Sequence, residues 1–137
     1  MIRGQGLLDT SVLVLLADVD DDFLPEEPLI SAVTLAELSV GPLVARSDEE
    51  RAARQAHLQE AEASFEPLPF DVAEARAFGR VAASLRRAGR TSAARAFDAM
   101  IAATALAHGL TLHTVNPRDF VGIDELSLMA VPHPATS

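Results

Sequence analysis

Residues 97–115 read FDAMIAATALAHGLTLHTV, and the reading of this stretch decides the fold. From Phe97 to Ala107 the run is nearly all apolar, interrupted early by Asp98. A helix that is apolar all round is a buried one. The pattern predicts such a helix from about Ala93 to His108, stopped by Gly109, the residue type that closes helices in a left-handed turn. Leu110–Val115 follows at once and reads as a strand, with Asn116-Pro117 as its turn signal. A buried helix feeding directly into a strand is a helix–strand step of an α/β fold.

Working outward, the same alternation recurs. Gly6–Asp9 reads as a short strand, and Ser11 is placed to cap a helix over Val12–Ala17. Residues 18–28 (DVDDDFLPEEP) make a polar, proline-bearing loop. Leu29–Ser31 is a second short strand. A helix over about Ala32–Ala45 follows, with a break expected near Gly41-Pro42. Ser47 and Glu50 have capping-box spacing for a helix running to about Ser64. Glu66–Pro69 is a connector or short strand, and Asp71 caps a helix reaching about Ala88. Leu128–Val131 is a last strand. Short strands alternating with helices predict an α/β domain over residues 1–137 with a mainly parallel sheet.

Composition narrows the chemistry. The chain has 137 residues, 49% of them hydrophobic, which is enough for one core. Its net charge is -9, so nucleic acid could be met only through a local basic patch. All 11 basic side chains are arginine; there is no lysine and no cysteine. That removes thiol chemistry, disulfides, cysteine-held zinc and the phosphate-binding P-loop. It also removes receiver-type and phosphoaspartyl sites, which need a lysine. The apolar run Leu7–Ala17 is too short to span a bilayer, and no small-residue cleavage pattern follows it, so a cytoplasmic chain is expected. Gly4-Gln5-Gly6 precedes a strand and is therefore no dinucleotide fingerprint.

Acidic residues then stand out by position. Asp9 ends an apolar strand, where ligands of open α/β sheets bind, although an Asp there can also cap the next helix. Glu37 lies in an otherwise apolar helix, and a carboxylate there must be solvated, paired or bound to a cation. Asp98 opens the buried helix and shares a face with Ile101, Ala102 and Ala105. Asn116 and Asp119 follow the end of a strand. Carboxylates about 4 Å apart repel by roughly 4 kcal/mol per pair at an effective dielectric of about 20. Protonation or a divalent cation relieves that. With oxygen ligands and no cysteine, Mg²⁺ or Mn²⁺ is favoured over Zn²⁺.

Taken in order, Leu8-Asp9-Thr10-Ser11, then Val33-Thr34-Leu35-Ala36-Glu37-Leu38, then Asp98-Ala99-Met100-Ile101-Ala102-Ala103-Thr104-Ala105, then Thr114-Val115-Asn116-Pro117-Arg118-Asp119-Phe120, the chain resembles the PIN-domain toxins of VapBC pairs. The resemblance implies a parallel, twisted sheet flanked by helices in three α/β/α layers. It implies Mg²⁺- or Mn²⁺-dependent endonucleolytic cleavage of RNA, a VapB-like antitoxin as partner, and commonly a homodimer. It places Asp9, Glu37 and Asp98 at three acidic positions. The fourth aligns with Asn116 or Asp119; Asp119 is preferred, with Asn116 beside it. Thr10, Ser11 and Thr114 match small hydroxyl positions near the metal. The chemistry expected is phosphodiester hydrolysis by a metal-activated water. The rival reading is a binding module of the same fold with an incomplete site, which Asn116 keeps open.

Arg86, Arg87, Arg90 and Arg95 form the densest basic cluster, and Arg118 lies beside the expected site. Arg86, Arg87, Arg90 and Arg118 are candidate RNA contacts, against the alternative that arginines at a helix end answer its dipole. The histidines 57, 108, 113 and 133 lack the spacing of a zinc helix. His57 and His108 read as helix-surface residues, and His113 as lying near the cleft.

Overall fold

In the computed structural model, which describes residues 4–91 and 95–136, four short strands form one sheet. They are β1 (Gln5–Leu8), β2 (Glu27–Leu29), β3 (Leu112–Thr114) and β4 (Leu128–Ala130). Their order is β2-β1-β3-β4, and every pairing is parallel. Leu7 stands opposite Leu112 and Leu8 opposite His113. Because side chains alternate along a strand, Leu7 and Leu112 face one layer while Leu8 faces the other.

Five helices cover the two faces: α1 (Thr10–Val14), α2 (Ala32–Val40), α3 (Asp48–Ser64), α4 (Val72–Arg87) and α5 (Ala96–His108). One core gathers Leu7 and Leu112 with Ala77, Val81 and Leu85 of α4 and Ala99, Ile101, Ala102 and Ala105 of α5. The other gathers Leu8 and Ile30 with Val12, Leu13, Leu38, Ala61 and Val131. This is the expected three-layer arrangement, with a core on each side of a buried parallel sheet. Each fully buried Leu or Ile contributes roughly 1.5–3 kcal/mol relative to exposure.

Local chemistry sets the element ends. Asp9, not Ser11, caps α1, accepting from the Val12 amide at 3.1 Å. That helix is only five residues long, and a 3-10 turn at Leu16–Asp18 follows it, so the predicted helix to Ala17 is shortened. Ser31 caps α2 through the Val33 amide. At Gly41-Pro42 the chain tightens into a 3-10 turn, as the proline predicts. Asp71 and Glu74 form a reciprocal capping box on α4. Ser47 caps α3 through the Glu50 amide. At Gly109, φ is +63°, and Leu110 N–H reaches back to the Ala105 carbonyl at 2.9 Å, which ends α5 and turns the chain toward β3.

Several boundaries differ from the expectation, β2 most plainly: it is Glu27–Leu29 rather than Leu29–Ser31, because the Ile30 carbonyl accepts from the Leu68 amide and Ser31 caps α2. α5 begins at Ala96, and residues 93 and 94 of the predicted start lie outside the described residues. β3 is three residues rather than six, because Leu110 is spent on the helix cap and Val115 lies beyond the ladder. The Glu66–Pro69 connector contributes a single parallel bridge, Ser31 to Leu68. Among the described residues no helix is long and apolar enough to cross a membrane.

Candidate active site

The carboxyl ends of β1 and β3 open into a cleft of about 490 Å³. Asp9, Glu37, Asp98 and Asp119 all line it, with Thr10, Ser11, Asn116 and His133. Four acids that are far apart in sequence thus meet in one place. Asp9 arrives on the end of β1, Glu37 on α2, Asp98 on the first turn of α5, and Asp119 on the 3-10 turn Pro117–Phe120.

Asp9 is buried and held by three donors. The Ser11 hydroxyl donates to Oδ1 at 2.6 Å, the Val12 amide donates to the same oxygen at 3.1 Å, and the Thr114 hydroxyl donates to Oδ2 at 2.6 Å. Thr114 is in turn fixed by the Asn116 amide, 2.9 Å from its Oγ1. Burial raises the Asp9 carboxyl above the usual carboxylate range; these hydrogen bonds oppose that, and the charge of Asp119 adds to it. Asp9 therefore caps a helix and points a fixed carboxylate into the cleft; the two readings of this residue are compatible. Glu37 is held by the Thr10 hydroxyl, which donates to Oε1 at 2.7 Å and lies 3.2 Å from Thr34 Oγ1.

Asp98 carries the largest perturbation. Burial, then the like charges of Asp119, Glu37 and Asp9, push its carboxyl up to about 6, and Arg95 partly offsets them. The remaining three acids are thus all close enough to be felt electrostatically at Asp98. The Arg95 guanidinium pairs with Asp119 and lies 3.8 Å from Asp98. The sequence groups Arg95 with Arg86, Arg87 and Arg90 as a candidate phosphate-contacting cluster, whereas in the fold it meets the acids of the cleft. Only its position three residues before Asp98, one helical turn away, hinted at this pairing. His133 was also missed, since a tail residue carries no periodicity that would bring it to the cleft.

The other basic candidates lie elsewhere among the described residues. Arg87 pairs with Asp124 at 2.6 Å. Arg90 donates to the carbonyls of Arg118 and Val121, and with Arg86 lines a separate hollow of about 510 Å³ that includes Thr91. None of Arg86, Arg87, Arg90 and Arg118 lines the acidic cleft. His113 corrects the expectation: it is buried, its ring lies against Gly6, and it does not line the cleft. Its Nδ1 has no partner among the described residues, and burial depresses its basicity. His108 is exposed on the surface of α5, as expected, and its Nε2 lies 2.9 Å from Glu74.

The donor set fits a hard divalent ion: carboxylates and hydroxyls, with mutual repulsion that a cation would relieve. Among the described residues, no three acidic or imidazole groups already stand close enough to enclose an ion. The cleft presents its carboxylates spread apart, with Arg95 against two of them.

A parallel four-stranded sheet with acids at its carboxyl edge defines the class. The PIN domain family model matches residues 6–126, and the chain belongs to the PIN-domain family. Within it, the similar curated relatives are VapC proteins. Ribonuclease VapC5 of Mycobacterium tuberculosis is 38% identical over 124 residues, covering 88% of this chain and 89% of that protein. Ribonuclease VapC4 of the same organism is 33% identical, covering 93% and 97% respectively. Among solved structures, that of VapBC-5 from Mycobacterium tuberculosis, a member of the VapBC family of toxin–antitoxin systems, superposes with a TM-score of 0.80 at 36% identity. It covers 96% of this chain and 100% of the matched one.

Proposed function

We propose that this chain is the ribonuclease toxin of a toxin–antitoxin pair, a Mg²⁺- or Mn²⁺-dependent endoribonuclease working in the cytoplasm. The observation that carries the reading is the meeting of Asp9, Glu37, Asp98 and Asp119 in one cleft, with Asp98 perturbed by the other three. Relatives named ribonuclease VapC, similar over most of their length, support the substrate class. A VapBC complex among the structural neighbours supports a VapB-like partner.

Asp9, Glu37, Asp98 and Asp119 would hold the ion. When bound, it supplies positive charge against the phosphodiester and eases deprotonation of water. The protein's own part is positional. Three hydrogen bonds fix the Asp9 carboxylate, so its donor oxygens are presented without reorganisation. Thr10 does the same for Glu37. Asp98 stands on the first turn of a helix whose remaining turns are locked in the core, which fixes its place.

A second reading, a binding module of the same fold, is favoured by the neutral Asn116 amide in the cleft beside Asp119. One experiment separates them. Purified chain is incubated with a mixed-sequence RNA and Mn²⁺, with and without chelator, alongside Asp98→Asn. The nuclease reading expects cleavage that chelator abolishes and that the variant loses by about a hundredfold or more, the scale of removing a charge-stabilising group. Uncut RNA with the wild type, or full activity in the variant, contradicts it.

A further inference from the structure

Arg95 occupies a place that the proposed ion would contest. Its guanidinium pairs with Asp119 and reaches toward Asp98 at 3.8 Å. Among the described residues it is the arginine that pairs with acids of the cleft. A guanidinium between two carboxylates lowers their repulsion as a metal does, using the same lone pairs. Both carboxylates face one guanidinium nitrogen, Nη1, and among the described residues no three acids stand ready to enclose an ion.

The side chain has somewhere to go. Arg95 is half-exposed, precedes α5 without a side-chain cap bond, and borders an open hollow of about 450 Å³ with Glu37, Ala96, Phe97 and Asp98. Its neighbour Phe97 is 37% exposed, so that wall is not packed against core.

We propose that Arg95 is an internal counter-cation of the metal site: it holds Asp98 and Asp119 in the metal-free chain and must leave them for a divalent ion to bind. The inference rests on the metal reading above. It assigns Arg95 a positioning role, opposed to that of a residue that merely pins the 117–120 turn to α5. Linkage gives the sign: whatever binds the metal-free state alone weakens metal binding by its own free energy.

Isothermal calorimetry with Mn²⁺ tests this on the wild type, Arg95→Gln and Arg95→Lys, with far-ultraviolet circular dichroism as the check on folding. Arg95→Gln should bind Mn²⁺ about fivefold more tightly, the scale of partly exposed ion pairs. It should also show a larger rise in thermal midpoint on saturation, while Arg95→Lys, which keeps the charge, stays near the wild type. Equal or weaker Mn²⁺ binding by a folded Arg95→Gln overturns the inference and leaves the metal reading standing. No Mn²⁺ binding by the wild type overturns both.

Discussion

Asp98 concentrates the electrostatics of the cleft on one carboxyl, and its sign makes a prediction. Its ordinary value is 3.8, and in the fold it is pushed up to about 6 by burial and by Asp119, Glu37 and Asp9. The folded state therefore favours the protonated form. Its contribution is fully present below pH 3.8 and is lost as pH rises through about 6. Thermal melts of metal-free protein from pH 4 to 7.5 should show Asp98→Asn gaining on the wild type as pH rises. A gap that closes with rising pH would count against the clustering of acids. Gly6 makes a steric prediction. A Cβ there would lie 2.5 Å from His113 Nε2, so Gly6→Ala must push a buried ring. The expected cost is about 1–3 kcal/mol, read from urea unfolding. From sequence, Gly6 looked like part of an unremarkable Gly-x-Gly; the reason for it is a ring 107 residues away that no local pattern announces.

Elements were legible where their chemistry is local. The all-apolar run of α5, its Gly109 stop, the Asp71 cap and the tightening at Gly41-Pro42 could all be read from neighbouring residues. What escaped were joints between elements. Glu74 accepts from the Asp71 amide at 2.7 Å, and its other oxygen meets His108 at 2.9 Å, tying the start of α4 to the end of α5. The Asp71 amide bond, more than any other influence, holds the Glu74 carboxyl below the usual range. Glu74→Ala should cost about 1–2 kcal/mol through the lost cap, with unfolding shifted to lower urea and RNA cleavage little changed. Equal stability would mean the pair contributes nothing. Strand limits also escaped: three-residue ladders flanked by apolar connectors give no alternation long enough to mark an end.

For the whole molecule, the fold class followed from helix–strand alternation, but the order β2-β1-β3-β4 did not, because parallel register is set by contacts distant in sequence. The four acids were singled out by position along the chain; only the folded sheet brings them to one cleft. The cores on either side of the sheet maintain that convergence. Ile101→Ala, in the fully buried middle of α5, should cost about 2–5 kcal/mol and lower activity only as the folded fraction falls. The most direct test of convergence is Mn²⁺ affinity measured by electron paramagnetic resonance in Asp9→Asn, Glu37→Gln, Asp98→Asn and Asp119→Asn. The account predicts that each folded variant loses Mn²⁺ affinity, because the proposed metal site draws on all four side chains. Two or more variants that bind as the wild type does would contradict it.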